Sequence, residues 1–189
     1  FRLDVVPLED PVSVKTNWPD FEITGDVDFE QAIFGKLNQF TNFGTLRVHE
    51  PFELVTDRLK NSGVLGGFKG TTLSVAHEFD NIKGILGGEK TTRIVLEKSF
   101  NKKIEDLGIL QGDKVYLIYN NPNLVVEKGK IRGMESVQIE GAVSSDFLHV
   151  DFNTPLFVVK TALLGIGAEQ TNCGTIAAIA LNRQFGLAA

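Results

Sequence analysis

Apolar and polar residues alternate in short runs along most of this chain. In residues 71–79, for example, Leu73, Val75 and Phe79 occupy alternate positions, the period expected of a half-buried strand. We predict strands at 2–6, 12–15, 21–24, 45–49, 71–79, 91–97, 115–119, 124–127, 137–140, 147–152, 156–161 and 175–181. Many short strands separated by turn residues are typical of closed or layered all-β folds. We therefore expect one β-rich globular domain over residues 1–189, an all-β sandwich or jelly-roll-like barrel.

Two or three short segments have a helical spacing of apolar residues instead. These segments are 28–40, 51–63 and 99–108. Asp28 and Ser99 are suitable N-cap residues, and Pro51 suits a first helical turn, after which Val55 and Leu59 would face inward. We predict that the three segments are helical insertions in the β framework.

A weak repeat has the pattern Gly, aliphatic, Leu, any residue, Gly, any residue, Lys. Copies start at Gly63, Gly84 and Gly108, and a looser one starts at Gly129, so the intervals are 21, 24 and 21 residues. A solenoid with coils of this length would produce such a period. Recurrent tight turns in a meander or Greek-key sheet would also produce it, and we favour that hypothesis. The central glycines, Gly66, Gly87 and Gly112, should then lie in turns between strands, several with positive φ.

Charge and composition exclude some classes of function. The formal net charge is −5 at pH 7, from 19 basic and 24 acidic residues, without a basic cluster. Direct nucleic-acid binding is not expected, because it requires a basic face. No apolar run reaches the roughly 18 residues of a membrane-spanning helix, so no transmembrane segment is predicted. One cysteine, Cys173, excludes an internal disulfide and is expected to be a buried, inert thiol.

The histidines are the first candidates for a catalytic or metal site. His149 and Asp151 alternate on one face of a predicted strand and form a weak candidate polar site, since two ligands do not complete a metal site. The sequence does not tell whether His49 and His77 converge on this pair. His77 shares an apolar strand face and should be buried with a hydrogen-bond partner, whereas His49 lies on a polar face and should be exposed.

The remaining motifs do not define an active site. Residues 84–91 resemble a phosphate-binding loop, but Glu89 occupies the position where that loop requires Gly. A hairpin turn is the preferred interpretation. Ser144-Ser145-Asp146 lacks the context of a nucleophile elbow. We assign no catalytic, cofactor-binding or metal-binding residues and expect no cofactor.

The C-terminal segment is rich in Ala, Gly and Ile, and its apolar residues Phe185 and Leu187 form a possible assembly contact. We expect a non-enzymatic structural subunit that self-assembles with copies of itself or with other subunits, such as a virion coat or tail protein. It would then be found in a virion or on an extracellular surface. The alternative is a small-molecule or carbohydrate-binding β module, with Trp18 as a stacking surface. A third possibility is a hydrolase-type enzyme that uses His149 and Asp151.

Overall fold

A computed structural model describes residues 20–121, 125–140 and 150–160 of the chain. Those residues form thirteen β-strands and no helix. The strands are β1 (Asp20–Ile23), β2 (Asp26–Phe29), β3 (Ile33–Asn42), β4 (Thr45–Val48), β5 (Phe52–Asn61), β6 (Val64–Gly67), β7 (Thr71–Asp80), β8 (Ile85–Leu86), β9 (Thr91–Leu96), β10 (Ile109–Tyr119), β11 (Gly129–Glu140), β12 (Val150–Asn153) and β13 (Phe157–Lys160).

Every pairing between these strands is parallel and joins a strand to the equivalent strand of the next coil. The hydrogen-bonded order is β1-β3-β5-β7-β9-β10-β8-β6-β4-β2, and β11 pairs with β10, β12 and β13. Strand β10 pairs with β8 through its first residues and with β9 through its last residues, so it follows two sides of one coil. The chain therefore winds as a parallel β-solenoid of about six turns.

This architecture contradicts the predicted sandwich or jelly-roll-like barrel. Both of those folds are built from antiparallel strands, and the strands described here pair in parallel. Alternation of apolar and polar residues is a property of one strand and does not report the direction of its neighbour. The intervals of 21 and 24 residues between repeated glycines did carry that information. The solenoid hypothesis that we set aside is the correct one.

The three predicted helices are also wrong. Segment 28–40 contributes to β2 and β3, segment 51–63 contains β5, and segment 99–108 is irregular apart from an isolated bridge from Ile104 to Val126. An irregularity in strand pairing explains the misleading pattern in β5. Leu54 and Thr56 face inward at strand spacing, and the next buried residue is Leu59, three positions on, because the register with β7 shifts between Thr56 and Arg58. Strand spacing interrupted by a three-residue step resembles helical periodicity.

The core consists of residues stacked in register from coil to coil. One inward row runs through six coils: Val27, Leu46, Leu65, Leu86, Leu110 and Ile131. All but the first are completely or almost completely buried. Because each coil buries its apolar residues only against the coils before and after it, the stack supplies the core that no single coil could form.

A ladder of buried asparagines occupies one corner of the stack. Asn42 donates from Nδ2 to Oδ1 of Asn61 at 2.7 Å, and Asn61 donates in the same way to Asn81 at 2.8 Å. The Nδ2 of Asn81 continues to the carbonyl oxygen of Leu107 at 3.0 Å. The three side chains are at most 1% exposed. These hydrogen bonds satisfy amide groups that would otherwise be costly to bury.

Glycines stack at the position that follows the asparagine ladder. A Cβ atom on Gly63 would lie 1.8 Å from the carbonyl oxygen of Gly44, so this corner requires glycine. The prediction for the central repeat glycines is correct only in part. Gly87 follows β8 with a φ of 107°, as expected for a turn, whereas Gly66 lies within β6 and Gly112 within β10.

Candidate functional site

His77 has the expected hydrogen-bond partner but is exposed. Its Nδ1 lies 2.5 Å from Oδ1 of Asp57, and 55% of its side-chain surface is accessible. Between Val75 and Glu78, β7 has two residues opposite the single residue Asp57 of β5. This β-bulge interrupts the alternation from which burial of His77 was predicted. The prediction of a partner is confirmed, and the prediction of burial is wrong.

His49 belongs to a cluster of surface charges at the start of the solenoid. Its Nε2 is 3.7 Å from Oδ1 of Asp28 and 3.5 Å from Oε2 of Glu30, and its ring packs edge-on against Phe68 at 4.9 Å. Its side chain is 36% exposed, so it is less open than predicted. A hydrogen bond from Arg47 Nε to the same Asp28 oxygen, 3.0 Å long, lowers the pKa of Asp28. The cluster is a set of ordinary surface ion pairs.

The structure does not bring the predicted histidine site together. His77 pairs with Asp57, whereas His49 pairs with acids of the first coil. Asp151 lies in β12 opposite Lys130 of β11, and its predicted partner His149 lies outside the described residues. Among the residues that the structure describes, no group of three or more His, Cys, Asp or Glu could hold a metal ion.

The segment that resembles a phosphate-binding loop forms a solenoid corner. Gly84 precedes β8, and Thr91 begins β9. Strand β8 pairs with β6 and β10, and β9 pairs with β7 and β10, all in parallel. The segment therefore joins two sides of a coil, and the predicted hairpin turn is wrong.

Several residues singled out from the sequence lie outside the described residues. They are Trp18, Ser144, Ser145, Asp146, Cys173, Phe185 and Leu187. The last two belong to the segment that follows β13, the final described strand.

The outermost described strands pair on one side only with other described strands. Within the described part of the chain, β1 pairs only with β3, and β2 pairs only with β4. At the other end, β12 and β13 each pair only with β11. Open edges present backbone donors and acceptors in the geometry that a further parallel strand requires. They form the first candidate functional surface.

A groove of about 430 Å³ forms the second candidate site. We call it the lysine groove. It is lined by Lys83, Ile85, Asp106, Ile109, Lys128 and Lys130, together with backbone of the corner glycines. Sequence reasoning missed these lysines because they are far apart in the chain. A usable signal was present: lysine directly precedes the repeated glycine at both Gly84 and Gly129.

The fold defines the chain as a parallel β-solenoid protein. Comparisons with protein-family models, with curated proteins and with solved structures gave no match. In the described part of the chain, no helix is long and apolar enough to cross a membrane.

Proposed function

We propose that this protein is a non-enzymatic structural subunit that assembles with copies of itself through an axial end of the solenoid. The observation that carries the proposal is that β12 and β13, the last described strands, pair only with β11 among the described residues. A virion coat or tail protein is one kind of subunit with such properties.

The edge strands supply directional contacts. Each backbone hydrogen bond across a new interface contributes on the order of 1 kcal/mol net. A second copy that continues the ladder would form a row of such bonds. It would also cover the inward residues of the end coil, and burial of apolar surface stabilises by about 25 cal/mol per Å².

The composition of the segment that follows β13 also supports an apolar contact. Residues 161–189 contain two charged residues, Glu169 and Arg183, and end with Phe185 and Leu187 near the terminus. The segment begins at the end coil, since Lys160 is the last residue of β13. We propose that Phe185 and Leu187 contact a neighbouring copy, because apolar side chains near a chain terminus are stabilised when a contact removes them from water.

The test compares the full chain with a variant that lacks residues 184–189 and with the variant Phe185→Glu. The full chain should have a mass above that of the 20.7 kDa monomer in light scattering. Both variants should be monomers with an unchanged β-type circular dichroism spectrum. Met134→Glu, at a residue that is 75% exposed, is the control and should assemble normally. A monomeric full chain at high concentration, or a variant that keeps its mass but melts earlier, would contradict the proposal.

The lysine groove favours a second candidate function, a small-molecule-binding β module. That function is compatible with assembly, because the groove lies on the side of the solenoid at coils formed by β8, β10 and β11.

A further inference from the structure

Three consecutive corners of the coil meet in the lysine groove. Ile109 N–H donates to the carbonyl oxygen of Gly84 at 3.0 Å, and Lys130 N–H donates to that of Gly108 at 2.8 Å. These bonds place the corners that contain Gly84, Gly108 and Gly129 directly over one another. Lys83 and Lys128 each precede a corner glycine. They are two coils apart, which corresponds to about 10 Å between their Cα atoms.

The groove concentrates positive charge. Lys83, Lys128 and Lys130 are exposed, and within the described residues no carboxylate forms an ion pair with them. Asp106 is the only acidic residue that lines the groove, and its Oδ1 accepts a hydrogen bond from Gly108 N–H at 2.9 Å. The formal charge of the residues that line the groove is therefore +2, in a chain whose net charge is −5.

Some lysines elsewhere on the described part of the molecule are paired with carboxylates. Lys69 pairs with Glu50 at 2.8 Å, and Lys102 pairs with Glu78 at 2.9 Å. Three flexible ammonium groups on four-carbon stems, free of such partners and placed around one concavity, suit an anion with several acceptor oxygens. A tetrahedral oxyanion can accept hydrogen bonds from all three.

The backbone holds one of these lysines in an unusual conformation. Lys83 has a φ of 65° in the corner where Gly84 N–H donates to the carbonyl oxygen of Asn81 at 2.8 Å. Gly or Asn would adopt this conformation at lower cost. Lys90 has a similar φ of 63° but does not line the groove. It is therefore a matched control for any effect of lysine charge or corner conformation.

The floor of the groove is apolar. Ile85 and Ile109 are partners in register on neighbouring coils, and Lys130 is the next residue of the same outward row. Both isoleucine side chains are half-buried. A carbon skeleton attached to the anion would lie against them and remove apolar surface from water.

We propose that the lysine groove binds a phosphate or sulfate ester, with its oxyanion held by Lys83, Lys128 and Lys130 and its carbon skeleton lying against Ile85 and Ile109. The proposal goes beyond the structural role argued above and does not depend on it.

The first experiment measures binding of phenyl phosphate to the full chain at low salt by isothermal titration calorimetry. Lys83→Gln, Lys128→Gln and Lys130→Gln should each weaken binding about threefold, the range expected of exposed charge pairs. Lys90→Gln should bind as the unchanged chain does. Absence of saturable binding by the unchanged chain, or equal weakening by Lys90→Gln, would overturn the proposal.

The second experiment tests the apolar floor and the source of the ester. Phenyl phosphate should bind more tightly than inorganic phosphate, and Ile109→Ser should bring the ratio of the two affinities close to one. Equal affinity of the two probes for the unchanged chain would refute the role of the floor.

A vesicle assay identifies the source of the ester. If the unchanged chain sediments with phosphatidylglycerol vesicles and Lys128→Gln does not, the source is a lipid headgroup. Phenyl phosphate binding without sedimentation would identify a soluble ester.

Discussion

The side-chain amides of Asn42, Asn61 and Asn81 show how single residues specify a corner of the solenoid. Asn61 donates to Asn81 and also to the carbonyl oxygens of Gly63 at 3.1 Å and Ile85 at 3.2 Å. It therefore ties its own turn to the next coil, at a depth where water does not reach. The same side chain in a loop at the surface would carry little of this energy.

Asn61→Ala should lower the free energy of unfolding by about 2–4 kcal/mol, since it leaves the buried Oδ1 of Asn81 without this donor and the buried Nδ2 of Asn42 without this acceptor. Urea denaturation followed by circular dichroism measures the change. Asn101→Ala, at an exposed position, is the control and should be neutral within about 0.5 kcal/mol. Equal stability of the two variants would show that the ladder does not stabilise the fold.

Gly63 and Gly25 provide a matched pair for the glycine column. A Cβ atom on Gly63 would overlap the Gly44 carbonyl oxygen, whereas one on Gly25 would meet nothing within 4 Å. Gly63→Ala should therefore cost at least about 3 kcal/mol or prevent folding. Gly25→Ala should be neutral or slightly stabilising, by up to about 1 kcal/mol. Thermal melting of both variants tests this, and a stable Gly63→Ala protein would disprove close stacking at the corner.

The ion pair between Glu78 and Lys102 gives a prediction about pH. The hydrogen bond from Lys102, 2.9 Å long, lowers the pKa of Glu78 below its ordinary value of 4.5. The stabilisation is therefore present above pH 4.5 and is lost as the pH falls through the lowered pKa. Because both groups are exposed, Glu78→Gln should remove less than about 1 kcal/mol at pH 7 and nothing at pH 2. Glu89→Gln is the control, and the same pH dependence in both variants would contradict the assignment.

At the scale of elements, most predicted strands that fall on described residues were placed correctly, but the predicted strand 124–127 contributes only an isolated bridge at Val126, and the predicted helices are wrong. Strand β9 covers 91–96 against a prediction of 91–97, and β7 covers 71–80 against 71–79. The segment that contains β5 was misinterpreted as a helix, because Thr56 and Leu59 are both buried and lie three residues apart, which is a helical spacing. Periodicity measures which residues face inward and does not distinguish a helix from a bent strand over so few residues.

Strand β5 allows a direct test, since the helix hypothesis buries Val55 and the strand buries Leu54. Leu54 is 3% exposed and Val55 is 39% exposed. Leu54→Asp should therefore prevent folding or cost more than about 3 kcal/mol, because it buries a carboxylate. Val55 lies opposite Lys36 of β3, so Val55→Asp should lower the free energy of unfolding by less than about 1 kcal/mol. Chemical denaturation measures the stability of both variants. A Val55→Asp protein that is less stable than the Leu54→Asp protein would support the helix.

At the scale of the whole molecule, each coil contacts mainly the coils before and after it. Stability in such a stack is approximately a sum of coil and interface contributions, and the end coils have one interface fewer. Strands β5, β7 and β9 each pair with two described strands, whereas β1, β2, β12 and β13 each pair with one.

Amide hydrogen exchange should therefore be slowest in β5, β7 and β9 and faster toward the ends of the stack. If copies of the chain cover the C-terminal edge, β12 and β13 will be protected in the full chain and will exchange faster after deletion of residues 184–189. Mass spectrometry of peptides from both proteins measures the difference. Equal protection of β12 and β13 in the two proteins would contradict assembly at this end.

The sequence by itself determined that β-structure predominates, where strands such as β4, β7 and β9 lie and that residues such as Leu73 and Val75 face inward. These properties depend on local alternation and on turn residues, which are encoded within a few neighbouring positions. The glycine intervals of 21 and 24 residues also contained the coil length, but tight turns explain a glycine repeat equally well.

Only the tertiary structure decided that the strands pair in parallel, that His77 is exposed at a bulge and that Lys83, Lys128 and Lys130 share one groove. Parallel pairing is a relation between residues about 20 positions apart, and a bulge depends on how many residues the opposite strand supplies. Lys83 and Lys128 line the same groove although they are two coils apart, because each coil returns the chain to the same corner of the solenoid. A lysine before the repeated glycine is visible at both Gly84 and Gly129, but only the coil shows that the two lysines line one groove.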